Sequence, residues 1–308
     1  MFLSSVGIEP QKFHTKLANF NRLRTAIGIP SADWEAAERD SLNMRILEGR
    51  FLEGLRTSIA PLTTDAPQNP DHFITWFESL QEWGPGQYHP LFDWLANRAS
   101  ADQLKWFLTQ EAAGEAGFED LVAYTQVKLP AQVKLECARN YWDEMGRGKY
   151  KAMHGPLLES MVKELGLTPT IDTTVWESLA LANTMLGLAT SRRHTYHSLG
   201  ALGVIELTAP WRAAKVSLAM QRLNFPRRSR RYFDLHAKID VLHAREWINE
   251  IIKPLISANP GCAIFIAEGA LMRLRCGELC FDRYSKEMKI DLLHNLNART
   301  LPAESLYA

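Results

Sequence analysis

The spacing of apolar residues leaves this chain essentially one fold class. From Gln11 onward apolar side chains recur at helical intervals, while the Val/Ile/Thr alternation and tight hairpin turns that strands require are nearly absent. With 308 residues and 46% hydrophobic residues, the chain can bury a sizeable core. The pattern predicts an all-α fold in which residues 1–90 form a helical layer on a core at 91–308. Within the first part, Ser31 is the expected N-cap of a helix running past Leu55, and Pro61–Pro70 reads as a linker. Within the second, helices are expected over Ala101–Leu129, Ala131–Glu144, His154–Leu165 (closed by Gly166) and Thr174–Leu188. Others are expected over Ser198–Leu207, Trp211–Leu223, Arg230–Ile256 and Gly261–Glu287. Trp34, Trp76, Phe77, Trp83, Phe92, Trp94, Trp106 and Phe107 are expected to pack between helices.

Charge excludes one broad class of partner. Lys plus Arg and Asp plus Glu both number 35, so no global field draws in nucleic acid. The four cysteines form no CxxC pair, which fits a reducing, cytoplasmic location better than a disulfide scaffold. Cys276 and Cys280, one helical turn apart, read as small buried hydrophobes. No signal peptide and no membrane span are expected.

The chemistry concentrates in YFDLHAKIDVLHAREW, Tyr232–Trp247. His236, Asp240 and His243 stand at i, i+4 and i+7, one face of a helix over two turns. Tyr232, Phe233, Leu235, Ile239, Leu242 and Trp247 surround them with apolar surface. Two imidazoles and a carboxylate suit a non-heme iron or manganese ion better than a thiolate-loving metal. Upstream, Glu144 and His154 are ten residues apart in NYWDEMGRGKYKAMHGPLL. An unbroken helix would turn such a pair about 80° apart, and Gly146 and Gly148 between them can distort it. Glu111 follows WFLTQ, and Glu206 sits among Leu202, Val204, Ile205 and Leu207, where an unpaired carboxylate is costly. No Glu-x-x-His occurs, which disfavours a ferritin-like bundle; Asp291-x-x-His294 lies in a polar tail and reads as a decoy.

In this order, four blocks resemble the heme-oxygenase-like diiron oxidases and oxygenases, also described as iron-containing redox enzymes. They are the glutamate after WFLTQ, WDE-x-G-x-G-x(5)-H, GALG-x-x-E and YF-x-L-H-x(3)-D-x(2)-H. The resemblance spans roughly Ala101–Glu287 and implies a helical bundle whose core helices hold two iron ions without heme. The ligands it implies are Glu111, His154, Glu206, His236, Asp240 and His243, with Glu144 as a further carboxylate. Glu115 and Asp143 are alternatives to Glu111 and Glu144. Members with the extra carboxylate ten residues before the histidine oxygenate nitrogen. The implied reaction is therefore O2-dependent N-oxygenation of an amino acid or its derivative, with an external electron donor. Desaturation or oxidative C–C cleavage of an aliphatic acid or amino acid is the alternative. A thiaminase-like hydrolase would need Cys137 as its nucleophile.

Two arginine-rich segments flank these blocks. SRRHTYH offers Arg192, Arg193 and His197 for an anionic substrate. FPRRSRR offers Arg227, Arg228, Arg230 and Arg231 for docking an acidic carrier protein that presents a tethered amino acid. A homodimer is an allowed assembly.

Overall fold

The computed structural model describes residues 9–30, 32–115 and 117–290, and among these it contains helices and no strand. In chain order they are α1 (Pro10–Thr25), α2 (Trp34–Thr63), α3 (Pro70–Trp83), α4 (Pro90–Asn97) and α5 (Ala101–Gly114). Then come α6 (Phe118–Thr125), α7 (Ala131–Glu144), α8 (His154–Leu165), α9 (Trp176–Thr190) and α10 (Thr195–Arg222). Last are α11 (Arg227–Glu246), α12 (Lys253–Ala258) and α13 (Ala263–Glu287). Ser31, Asp291 and His294 lie outside the described residues.

Local chemistry sets several boundaries. Pro10, Pro70 and Pro90 open α1, α3 and α4, where the missing N–H costs no intrahelical bond. Ser100 and Gln103 form a reciprocal capping box on α5. Gly166, at φ +65°, closes α8 as expected.

Several boundaries differ from the sequence reading, and α2 runs through Pro61 to Thr63, into the expected linker. The segment from Ala101 to Leu129 is two helices, because Gly117 adopts φ +74° and turns the chain before α6. Conversely, α10 runs straight through Pro210, where two helices were expected. Nearby, Gln81 donates to the carbonyl of Leu207 at 3.2 Å, so an α3 side chain supplies polar contact to this stretch. Finally, α11 passes through a π-helical turn, Trp247–Ile252, into α12.

The long helices α10 and α13 form the spine. A Cβ on Gly200 would lie 1.9 Å from the Ile266 carbonyl oxygen, and one on Gly269 equally close to that of His197. Only glycine at both positions permits this backbone contact. Trp247 is fully buried and donates from Nε1 to the Leu199 carbonyl at 3.0 Å, tying the π turn to α10. On the other side, α1 rests on α9 and α2 on α13. Their Phe13, Leu17, Phe51 and Leu55 join the same apolar cluster as Leu199, Ile251 and Leu271. The early helices therefore share an apolar cluster with the later ones. A second cluster, with Phe92, Phe107, Phe233, Phe281 and Tyr284, packs α4, α5, α11 and α13 together. Trp34 and Trp83 were expected in the core, but are 62% and 46% exposed. Trp34 begins α2 in its solvated first turns. No single helix among the described residues is long and apolar enough to cross a membrane.

One buried group in this layer predicts acid sensitivity. His14 is sealed beside Phe51 and Trp176, and burial lowers its pKa to about 3. The unfolded chain therefore takes up a proton near pH 6.5 that the folded chain refuses until about pH 3. Its contribution is complete above the unfolded value and is lost as pH falls towards the folded one. Urea unfolding of metal-free protein from pH 7 to 4.5 should show it. Below pH 6, His14→Phe should have a stability slope shallower by ~1.4 kcal/mol per pH unit than wild type. Parallel slopes would place the acid sensitivity elsewhere.

Candidate metal centre

The turn between α7 and α8 brings Glu144 and His154 together. Glu144 is the last residue of α7 and His154 the first of α8, as expected, and a glycine-bearing turn joins the two helices. Between them Gly146, Arg147 and Gly148 all adopt positive φ. A Cβ on Gly146 would sit 2.5 Å from the Ala152 carbonyl carbon, so the turn closes only around glycine. Glu144 Oε2 then lies 2.6 Å from His154 Nδ1, both side chains 4% exposed.

Helices α10 and α11 complete the cluster. Glu206, His236, Asp240 and His243 converge there, giving two compact donor groups: Glu144–His154–His236 and Glu144–Glu206–His243. Within each, the ligand atoms lie within 4.8 Å of one another, and Glu144 belongs to both. Asp240 is buried beside them.

Neighbouring groups orient the donors. Asn140, one turn before Glu144, donates from Nδ2 to Glu206 Oε1 at 2.7 Å. His236 Nδ1 lies 2.7 Å from the Tyr232 carbonyl, which fixes the proton there and leaves Nε2 as the free donor. His243 Nε2 meets Asp143 Oδ2 at 3.3 Å, while its Nδ1 faces Glu206 at 3.5 Å. Asp143 in turn accepts from Arg147. Asp143 thus backs a histidine of the cluster and is absent from both donor groups.

The electrostatics suit a bound cation. Burial raises the Glu144 and Asp240 carboxyls well above their usual range, and the charge of Glu206 pushes both further. Burial lowers His154 and His236 to about 4. Burial also lowers His243, but the hydrogen bond and charge of Glu206, with Asp143, outweigh it and raise the imidazole to about 9. His154 Nδ1 and His243 Nδ1 face the carboxylates of Glu144 and Glu206, and Asp240 Oδ1 is buried without a hydrogen-bond partner. Nitrogen and oxygen donors among crowded carboxylates suit cations of borderline hardness. Asp143→Asn should weaken metal binding ~10–100-fold by releasing His243, as loss of such a supporting group does elsewhere. Anaerobic ferrous titration checks this, and wild-type affinity would show that Asp143 does not support the site.

A cavity of about 340 Å³ opens beside the cluster, lined by Glu144, His154, Glu206, His236 and Asp240. Glu111 also lines it, but neither donor group includes Glu111. Its electrostatic neighbours are Arg212 and Arg273, with Tyr284 as a hydrogen-bond partner. After Gly117 the chain re-enters the cavity on α6 and presents Glu119, whose Oε1 lies 2.9 Å from where a Cβ on Gly155 would stand, beside His154. The charges of Glu119 and His154 act on one another. The sequence reading missed Glu119; its signal was the glycine pair in AAGEAGFED, which breaks the presumed helix. Glu115 lies at the cavity wall with Tyr232 Oη 3.4 Å from its Oε2.

The flanking arginines fall elsewhere. Arg193 pairs with Glu53 at 2.5 Å, Arg192 donates to the Thr125 carbonyl at 3.2 Å, and His197 Nε2 meets Glu268 at 3.0 Å. None of the three lines the cavity. They stand at the start of α10, and Glu206 is roughly 20 Å farther along its axis than Arg193. Arg227, Arg228 and Arg231 are exposed at the start of α11, with Arg228 paired to Glu164, and Arg230 is half-buried.

The profile of a family described as iron-containing redox enzymes matches residues 105–278. No curated protein matches the chain. Among solved structures, it is similar to a CADD-like protein of unknown function from Nostoc punctiforme, at 19% identity and a TM-score of 0.56. That match covers 71% of this chain and 97% of the other. The shared architecture is the all-α, heme-oxygenase-like fold.

Proposed function

The chain belongs to the iron-containing redox enzymes, and we propose that it is a diiron oxygenase acting on an amine nitrogen of an amino acid or amino-acid-derived substrate. The observation that carries this reading is Glu144, common to two buried donor groups that share one cavity. When bound, iron supplies O2 activation: one oxygen atom goes to the amine, giving a hydroxylamine, and the other leaves as water, using two electrons from an external donor and two protons.

The protein's own residues set the conditions for that chemistry. Glu144, His154, Glu206, His236, Asp240 and His243 would hold the metal pair, with Glu119 a further carboxylate at its edge. Tyr232 and Asp143 hold two of the histidines in one tautomer through His236 Nδ1 and His243 Nε2. Phe92, Ala213, Val216 and Phe233 give the cavity an apolar wall that limits water beside the reacting atoms. The presence of a carboxylate shared by both groups favours nitrogen chemistry over desaturation, following the resemblance drawn from the WDE block.

A thiol mechanism has no support at Cys137. That residue is buried in α7, and burial together with Glu136 pushes its thiol up to about 12. The deciding experiment loads the protein with ferrous iron anaerobically, admits O2 with a reductant and a panel of amino acids, and analyses products by mass spectrometry. A hydroxylamine, nitroso or nitro product is expected. An alkene or a shortened carbon chain would replace this reaction with desaturation or cleavage. No O2 consumption with any amino acid would favour a binding protein.

A further inference from the structure

The cavity has a second pole. Beside its metal-binding groups stand Arg212 of α10, Arg273 of α13 and Glu111 of α5, and the charges of Arg212 and Asp240 act on each other. The two guanidiniums lie close enough for their charges to oppose each other, and Glu111 and Asp240 offset Arg212 only in part. Burial, together with the charge of Arg273, lowers Arg212 to about 9. Arg212 stacks over the Phe281 ring at 5.7 Å, which turns its planar group without satisfying its N–H donors. Arg273 Nε is buried with no hydrogen-bond partner. Neither arginine reaches a carboxylate at ion-pair distance among the described residues, whereas Arg56, Arg193 and Arg228 all do. Two adjacent cations in a cavity, one with a buried unpartnered N–H, are costly unless an anion completes them.

We propose that Arg212 and Arg273 form the carboxylate subsite for the substrate, so that the enzyme takes a free amino acid. This rests on the same cavity being the oxygenase site. A carboxylate matches the arrangement in shape, since each guanidinium fork fits a carboxylate's paired oxygens. An amino acid tethered as a thioester has lost its α-carboxylate and presents a neutral carbonyl instead. The cavity, about 340 Å³, is at the small end for ligand pockets and suits a molecule of amino-acid size. With its carboxylate held at this pole, the remainder of the substrate extends toward the metal-binding groups. Glu111 then serves to balance the arginine pair rather than to ligate metal.

The test measures binding on the full-length protein, both metal-free and loaded anaerobically with ferrous iron. Calorimetry is run with the proteinogenic L-amino acids, each paired with its α-carboxamide. At least one amino acid should bind at least tenfold more tightly than its amide. Arg212→Gln and Arg273→Gln should each erase that preference while iron stoichiometry stays at the wild-type value. Equal binding of acid and amide, or no binding of any amino acid, overturns the proposal without reference to any variant. Tight binding of the amides alone would point to carrier-bound substrates. The two readings fail separately. Protein that prefers acid over amide but takes up no iron overturns the oxygenase assignment. Protein that takes up iron and consumes O2 with no such preference overturns the carboxylate subsite.

Discussion

Glu206→Gln should bind iron at least about 100-fold more weakly than wild type, exceeding what loss of a merely supporting group costs. Glu206 projects from the middle of α10 into the donor cluster, with Asn140 holding one oxygen at 2.7 Å and His243 Nδ1 near the other at 3.5 Å. Glutamine keeps an oxygen to accept from Asn140, so the contact between α7 and α10 survives. What disappears is an anionic oxygen in the donor group of Glu144, Glu206 and His243, and with it charge needed to hold a cation. His236→Ala should lower iron content as well, by removing an imidazole that burial keeps neutral at pH 7. Metal analysis after anaerobic loading, with thermal melts to establish folding, checks both. Wild-type iron content in both variants would remove the metal centre from this cavity.

Glu144→Ala should separate metal uptake from reaction outcome. As the one carboxylate common to both donor groups, Glu144 links two halves that otherwise rest on different residues. Without it, His154 and His236 remain on one side, and Glu206 and His243 on the other. Iron content should fall but not vanish, toward about one ion per chain. Nitrogen-oxygenated product should drop by at least tenfold, ~1.4 kcal/mol in barrier terms, or give way to other products. Product analysis by mass spectrometry, normalised to bound iron, reads this directly. Full yield of the same product would withdraw the support that Glu144 lends to nitrogen chemistry and advance desaturation.

The helices were largely legible because helix formation is a local matter of periodicity and capping. Ala131–Glu144 and His154–Leu165 match α7 and α8 to the residue, the latter because Gly166 is an unambiguous stop. Failures arose where one residue had two possible effects. Pro210 normally ends a helix, yet α10 continues through it, with α3 and α13 packed along its length. Gly117 is tolerated in some helices, but here its positive φ splits the segment in two. Both Glu111 on α5 and Glu119 on α6 line the cavity on either side of that split.

The sequence by itself determined the fold class and the face carrying His236, Asp240 and His243, because spacing along one helix fixes which side chains point together. It also marked Glu206, since a carboxylate in an apolar helix must find compensation. Tertiary structure alone decided what lies across the cavity. Arg212 and Arg273 are 61 residues apart and belong to no local pattern, whereas Arg192 and Arg193 looked like a substrate motif and pair elsewhere. Adjacency between separate helices depends on how their axes cross, and here Gly200 and Gly269 set that crossing by letting α10 and α13 touch.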